Sequence, residues 1–195
     1  MAQKRNENNT YYIGDLHFGH ANAISFDRRP FENVEEMNEA LIRNWNARVT
    51  PEDTVYVLGD MFLKYKQSNT AIMAKLNGHK HLIKGNHDWG KVLEEPWESV
   101  QPYLEIDDES RRVILCHFPI PFYNRARRGA IMLYGHVHHS AEWELLEKWK
   151  QECHAMEIPC NMINVGCMMP YMNYTPRTLD EILAANPFWE RKRYD

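Results

Sequence analysis

Three histidines, His136, His138 and His139, crowd the end of the apolar run Ile131-Met132-Leu133-Tyr134. An imidazole can ligate a metal or carry a proton, and two of them one residue apart can face the same crevice. Four other apolar runs stop in the same manner. TYYIG runs into Asp15 and His17, TVYVL ends at Asp60, HLIK ends at Asn86 and His87, and RVILC ends at His117. Gathering such polar groups is expensive unless metals or hydrogen bonds satisfy them. A donor set of carboxylate, amide and imidazole without thiolate suits Mn²⁺, Fe²⁺ or Zn²⁺, and several imidazoles disfavour Mg²⁺. Cys116 precedes His117, but no phosphate-cradling loop accompanies it, so a thiol nucleophile is not expected.

Elements must position these groups. The patterns predict strands over 10–14, 54–58, 79–84, 112–116 and 130–134, each ending at one of the polar clusters. Between them, Asn33 and Glu36 form a capping box for a helix over 34–48, with Val34, Met37, Leu41 and Trp45 on one face. A second helix is expected over 68–76. Segments 141–149 and 154–165 read as late strands, although the charges of the first leave a helix open. Thr178 and Glu181 form another capping box before a short helix, and 186–195 is expected to be an exposed tail. The order is α/β with β-rich sequence toward the end, in which side chains at the C-terminal strand ends converge.

The chain has 195 residues, which fits a single domain over 1–195. A formal net charge of −4 gives no global basic field for nucleic acid. Neither a run of membrane-spanning length nor an apolar leader is visible, so a cytoplasmic location without membrane contact is expected. Four cysteines without a CxxC pair read as reduced thiols.

Together GDLHFGH (14–20), GDMF (59–62), GNHD (85–88), CHFP (116–119) and GHVH (135–138) resemble the calcineurin-like metallophosphoesterases, in that family's order. The small single-domain bacterial, archaeal and phage members are the most similar. The resemblance implies a four-layer αββα sandwich, two central mixed sheets flanked by helices. It implies two divalent transition-metal ions, manganese first, with iron, Zn²⁺ or Ni²⁺ as alternatives. Asp15, His17 and His138 would bind one ion, Asn86, His117 and His136 the other, and Asp60 both. The implied reaction is phosphoester hydrolysis by in-line attack of a metal-bound hydroxide, leaning to phosphodiesters. His87 would serve the leaving group, with Asp88 orienting it. A monoesterase or nuclease of the same superfamily is the alternative, as is a metal-stabilised protein-interaction module without turnover. The family also suggests a homodimer.

Substrate-facing candidates follow from position. His20 completes DxHxxH and can reach phosphate, and Arg28 and Arg29 could meet its charge. Segment 119–129 could form a lip over the crevice, with Tyr123 stacking on an organic group and Arg125, Arg127 and Arg128 attracting phosphate. Tyr171 could line the site. A small phosphorylated substrate, nucleotide-like, fits this set better than a nucleic acid.

Overall fold

The computed structural model describes residues 8–63 and 67–186. The expected tail therefore lies outside the described residues, apart from Asn186, which ends the last helix half-buried. Among the described residues, eight strands form two sheets. The first contains β1 (Thr10–Ile13), β2 (Thr54–Val57), β3 (His79–Ile83) and β4 (Ser99–Gln101), in that order and parallel throughout. The second contains β5 (Tyr103–Asp108), β6 (Arg111–Cys116), β7 (Ile131–Tyr134) and β8 (Met162–Asn164). There β5 and β6 are antiparallel and the remaining pairs parallel, so of the two mixed sheets expected only the second is mixed.

The period of two along each strand divides the core. Val113, Leu115, Ile131, Leu133 and Ile163 join the large cluster shared with the first sheet. Their alternates Ile114, Cys116, Met132, Tyr134 and Met162 form a second cluster. Trp143, Leu146 and Trp149 pack against that cluster from helix α4 (Ala141–Ala155). The strand expected over 141–149 is thus a helix: Ser140 caps it by accepting from the Glu142 N–H at 3.1 Å. Of 154–165, only β8 is a strand.

Helix α1 (Ala21–Phe26) was not anticipated. In α2 (Val34–Asn46) the Asn33 side chain accepts from the Glu36 N–H at 2.9 Å, and Met37, Leu41 and Trp45 are buried. The Glu36 carboxylate takes the Glu32 N–H at 2.6 Å instead of closing the box on Asn33. Helix α3 spans Gln67–Met73, shorter than expected; Ile72 within it and Leu76 beyond its end are buried. Helix α5 (Leu179–Ala185) has the full Thr178–Glu181 capping box.

One junction joins the sheets where the polar clusters leave them. Gly14, just beyond β1, pairs in parallel with Gly166, just beyond β8. The Gly14 N–H donates to Val165 O and the Cys167 N–H to Gly14 O, both at 2.8 Å. Consequently the exits of both sheets share one end of the sandwich.

Candidate metal centre

From those exits, the predicted donors converge. Asp15, His17 and His138 can jointly hold a cation, as can Asp15, Asp60 and His117. Asn86 extends the second group: its Oδ1 lies 3.0 Å from His117 Nε2 and 2.9 Å from His136 Nδ1. Asp60 Oδ2 lies 3.5 Å from His117 Nε2 and 3.9 Å from both His17 Nε2 and His87 Nε2.

The backbone bends sharply to achieve this. Asp15, His17, Asp60, His136 and His138 all have left-handed φ, between 48° and 70°. Non-glycine residues resist that region, although Asp and His tolerate it better than most. Neighbouring glycines make the room. A Cβ on Gly59, which has φ +79°, would come within 2.3 Å of His117 Nδ1, and one on Gly85 within 2.3 Å of Asp60 Oδ1.

Second-layer hydrogen bonds fix which imidazole nitrogen faces inward. His117 Nδ1 lies 2.8 Å from the Leu58 carbonyl, which can only accept, so Nε2 points at Asp60 and Asn86. His138 Nδ1 lies 2.8 Å from Asp27 Oδ1, leaving Nε2 toward Asp15 at 3.9 Å. The same Asp27 carboxylate takes Arg29 Nε at 2.9 Å and Nη2 at 2.8 Å. Arg29 then donates to the Leu16 carbonyl at 2.8 Å and the Asp15 carbonyl at 2.9 Å.

Both tests of fit favour cations. His17 is 1 % exposed, yet neither of its ring nitrogens has a hydrogen-bond partner. Burial pushes its pKa down to about 2, which keeps the imidazole neutral as a ligand must be. Burial raises the Asp15 pKa. For Asp60 burial acts in the same direction, but the hydrogen bond and charge of His117 outweigh it and bring the pKa to about 2. Burial would lower His117, but the hydrogen bond to Asp60 and the charges of Asp15 and Asp60 lift it to about 9. The carboxylates draw positive charge to this point.

Several sequence expectations require correction. Arg29 is no substrate ligand: its side chain is 0 % exposed and bound to Asp27 and two carbonyls. Asp88 does not orient His87. Its Oδ2 accepts from the Asp60 N–H at 2.8 Å and the Gly85 N–H at 2.9 Å, while Oδ1 is buried without a partner. Burial raises the Asp88 pKa to about 6. Tyr123 is core: its hydroxyl donates to Ala130 O at 3.1 Å and accepts the Asn161 N–H at 2.8 Å. Arg125, Arg127 and Arg128 line a separate cavity of about 530 Å³ with Phe122 and Pro159, to which no predicted metal ligand contributes. The Tyr171 hydroxyl is spent on the Asn164 carbonyl. Arg28 is exposed, with φ 52°. His20 does sit beside the centre, its ring 5.4 Å from that of His17.

Sequence reasoning missed Asp27, whose only signal was its place two residues before Arg29. It also missed Phe26 and Phe118. Phe26 lies 5.3 Å from the His138 ring and Phe118 lies 4.6 Å from the His136 ring.

No family model matches the chain. The uncharacterized protein MJ1445 of Methanocaldococcus jannaschii is 34% identical over 177 residues, which cover 89% of this chain and 88% of that one. The crystal structure of the protein of unknown function AQ665 from Aquifex aeolicus superposes on 92% of this chain and 100% of its own, with TM-score 0.70 and 26% identity. YfcE, a phosphoesterase from E. coli, aligns with 66% of this chain and 69% of its own, at TM-score 0.37 and 17% identity. The chain therefore belongs to one family with MJ1445, and its five ordered motifs, two packed sheets and donors converging at their shared end resemble the calcineurin-like metallophosphoesterases.

Proposed function

We propose that this chain hydrolyses phosphoesters, phosphodiesters before monoesters, with a pair of divalent transition-metal cations. The observation carrying the reading is the convergence of the strand-exit donors around His17, whose two buried ring nitrogens have no partner. Asp15, His17 and His138 would hold one cation, Asn86, His117 and His136 the other, and Asp60 would lie between them. Bound there, the cations supply charge against the phosphoryl and leaving oxygens and make water acidic enough to attack. The imidazoles favour Mn²⁺, Fe²⁺ or Zn²⁺ over Mg²⁺, and manganese is the metal to load first.

The remaining work falls to protein groups. His87 is 38 % exposed at its side chain, and its Nε2 stands 3.9 Å from Asp60 Oδ2. From that position a proton on its ring can pass to a departing alkoxide. Asp88 acts at one remove, fixing the Asp60 and Gly85 backbone from which two donors hang. His20, partly exposed beside His17, can donate to a phosphate oxygen. None of the described helices is long and apolar enough to cross a membrane, and four buried free cysteines suit the reducing cytoplasm we assign.

The test is turnover of bis-p-nitrophenyl phosphate and p-nitrophenyl phosphate by manganese-loaded protein. Hydrolysis above the manganese-only rate, with the diester favoured in kcat/KM, is expected. Background rates across a panel of metals would overturn the reading. His87→Ala should keep both metals and lose turnover, most steeply for poor leaving groups.

A further inference from the structure

We infer that the exposed rings of Phe26 and Phe118 select a phosphodiester whose organic group is a flat aromatic system, in biological form a nucleoside. The inference rests on the phosphoesterase reading above. Each half of the centre carries one phenyl ring. Phe26 stands edge-on to the rings of His17, His20 and His138, at 6.1, 5.5 and 5.3 Å. Phe118 does the same to His117 and His136, at 5.0 and 4.6 Å. Yet Phe26 is 53% exposed and Phe118 43%.

Bracing imidazoles accounts for the inner part of each ring and leaves the outer part unexplained. Apolar area left in water forgoes the stabilisation that burial would bring, and a phosphate group gains nothing from it. A flat π-system laid on the ring removes that area from water and adds the geometric preference of aromatic pairs, which a saturated chain lacks. Both rings are also seated in advance against these imidazoles, and their chain neighbours are anchored. Asp27, next to Phe26, is bound by His138 and Arg29, and His117, next to Phe118, is bound to the Leu58 carbonyl. Rings fixed before the ligand arrives lose little freedom on contact.

The experiment compares two diesters with one leaving group, thymidine 5′-(p-nitrophenyl phosphate) and methyl p-nitrophenyl phosphate, on manganese-loaded protein. The thymidine ester should lead in kcat/KM by about tenfold or more, the scale of one base–aromatic stack. Phe26→Leu and Phe118→Leu should each shrink that ratio, and Phe26→Trp and Phe118→Trp should restore or enlarge it. Calorimetry with thymidine 5′-monophosphate and methyl phosphate reads the same preference as binding, without turnover. Equal kcat/KM for the two esters, or a ratio unchanged in both leucine variants, overturns the inference. Should neither ester turn over, the phosphoesterase reading falls. The binding arm then decides alone: tighter thymidine monophosphate binding that both leucine variants lose sustains the role of the rings, and equal binding removes it.

Discussion

The two halves of the candidate centre differ in how deeply they are set and in what braces them. Asp15 and His17 are 0 % and 1 % exposed, and the His138 side chain only 17 %. Behind them Asp27 and Arg29 tie His138 to the backbone of the Asp15 loop through buried hydrogen bonds. On the other side only His117 is fully buried; Asn86 is exposed and His136 half so. Asn86 Oδ1 lies against His117 Nε2 and His136 Nδ1, two donors of the same half. The inner half is built into the fold before any ligand arrives, while the outer half faces the solvent from which substrate must come. Affinity for a cation should follow that division, tight inside and exchangeable outside.

Removing the brace is the strongest way to break the contrast. Arg29→Met strips Asp27 Oδ2 of its guanidinium, leaves His138 as the partner of Oδ1, and frees two carbonyls. Urea unfolding should register a loss of about 3–5 kcal/mol. No residue of the outer half should cost as much. Asp60→Ala comes next, because it strikes both halves together. Diester turnover should fall by more than about a hundredfold, beyond the range of outer-shell losses, with metal content measured by mass spectrometry falling alongside. Two metals retained at full occupancy would refute the shared position of Asp60.

Asp27→Asn sharpens the comparison at a smaller scale. The amide has one acceptor oxygen for two donor groups, so keeping it on Arg29 sets its N–H₂ against the His138 N–H and loosens that imidazole, and one cation should bind about 10–100-fold more weakly. Asn86→Ala should weaken the other cation and leave the first in place, which competition with a graded chelator can resolve. The smallest effect lies at the far end of the first sheet. Asp53 accepts from the Asn9 and Thr50 N–H groups at 2.7 Å and from the Thr50 hydroxyl at 2.8 Å. Burial alone would raise its pKa, but these bonds outweigh burial and hold it below the usual carboxylate value. Its contribution is therefore complete above the unfolded value of about 3.9 and is lost as pH falls through the lower folded value. Asp53→Asn should remove about 1 kcal/mol at neutral pH and flatten the acid limb of the stability curve, with metal binding untouched.

What the sequence disclosed follows the same division. Each strand-exit donor was legible because an apolar run stopping at a polar group is a local pattern, and the caps at Asn33 and Thr178 are local as well. Strand β5 was missed because YLEIDD alternates weakly and lies at a sheet edge, its residues exposed or half-buried. Over 141–149 the pattern allowed a strand while the charges left a helix open, and the Ser140 cap decides for helix α4. Arg29 and Tyr123 were misassigned for one reason. A charged or hydroxylated side chain in a connector looks solvated, and only tertiary contacts disclose that its polar atoms are already engaged. The left-handed donors left no trace at all, since aspartate and histidine occupy ordinary backbone far more often.

Those five bent donors set two kinds of selection against each other. An L side chain at such an angle costs roughly 1–2 kcal/mol that glycine does not incur. A library sorted for heat resistance should accumulate glycine at Asp15, His17, Asp60, His136 and His138, and a library sorted for turnover should purge it from all five. Where those two enrichments cross, residue by residue, is where this fold gives up durability in exchange for reactivity.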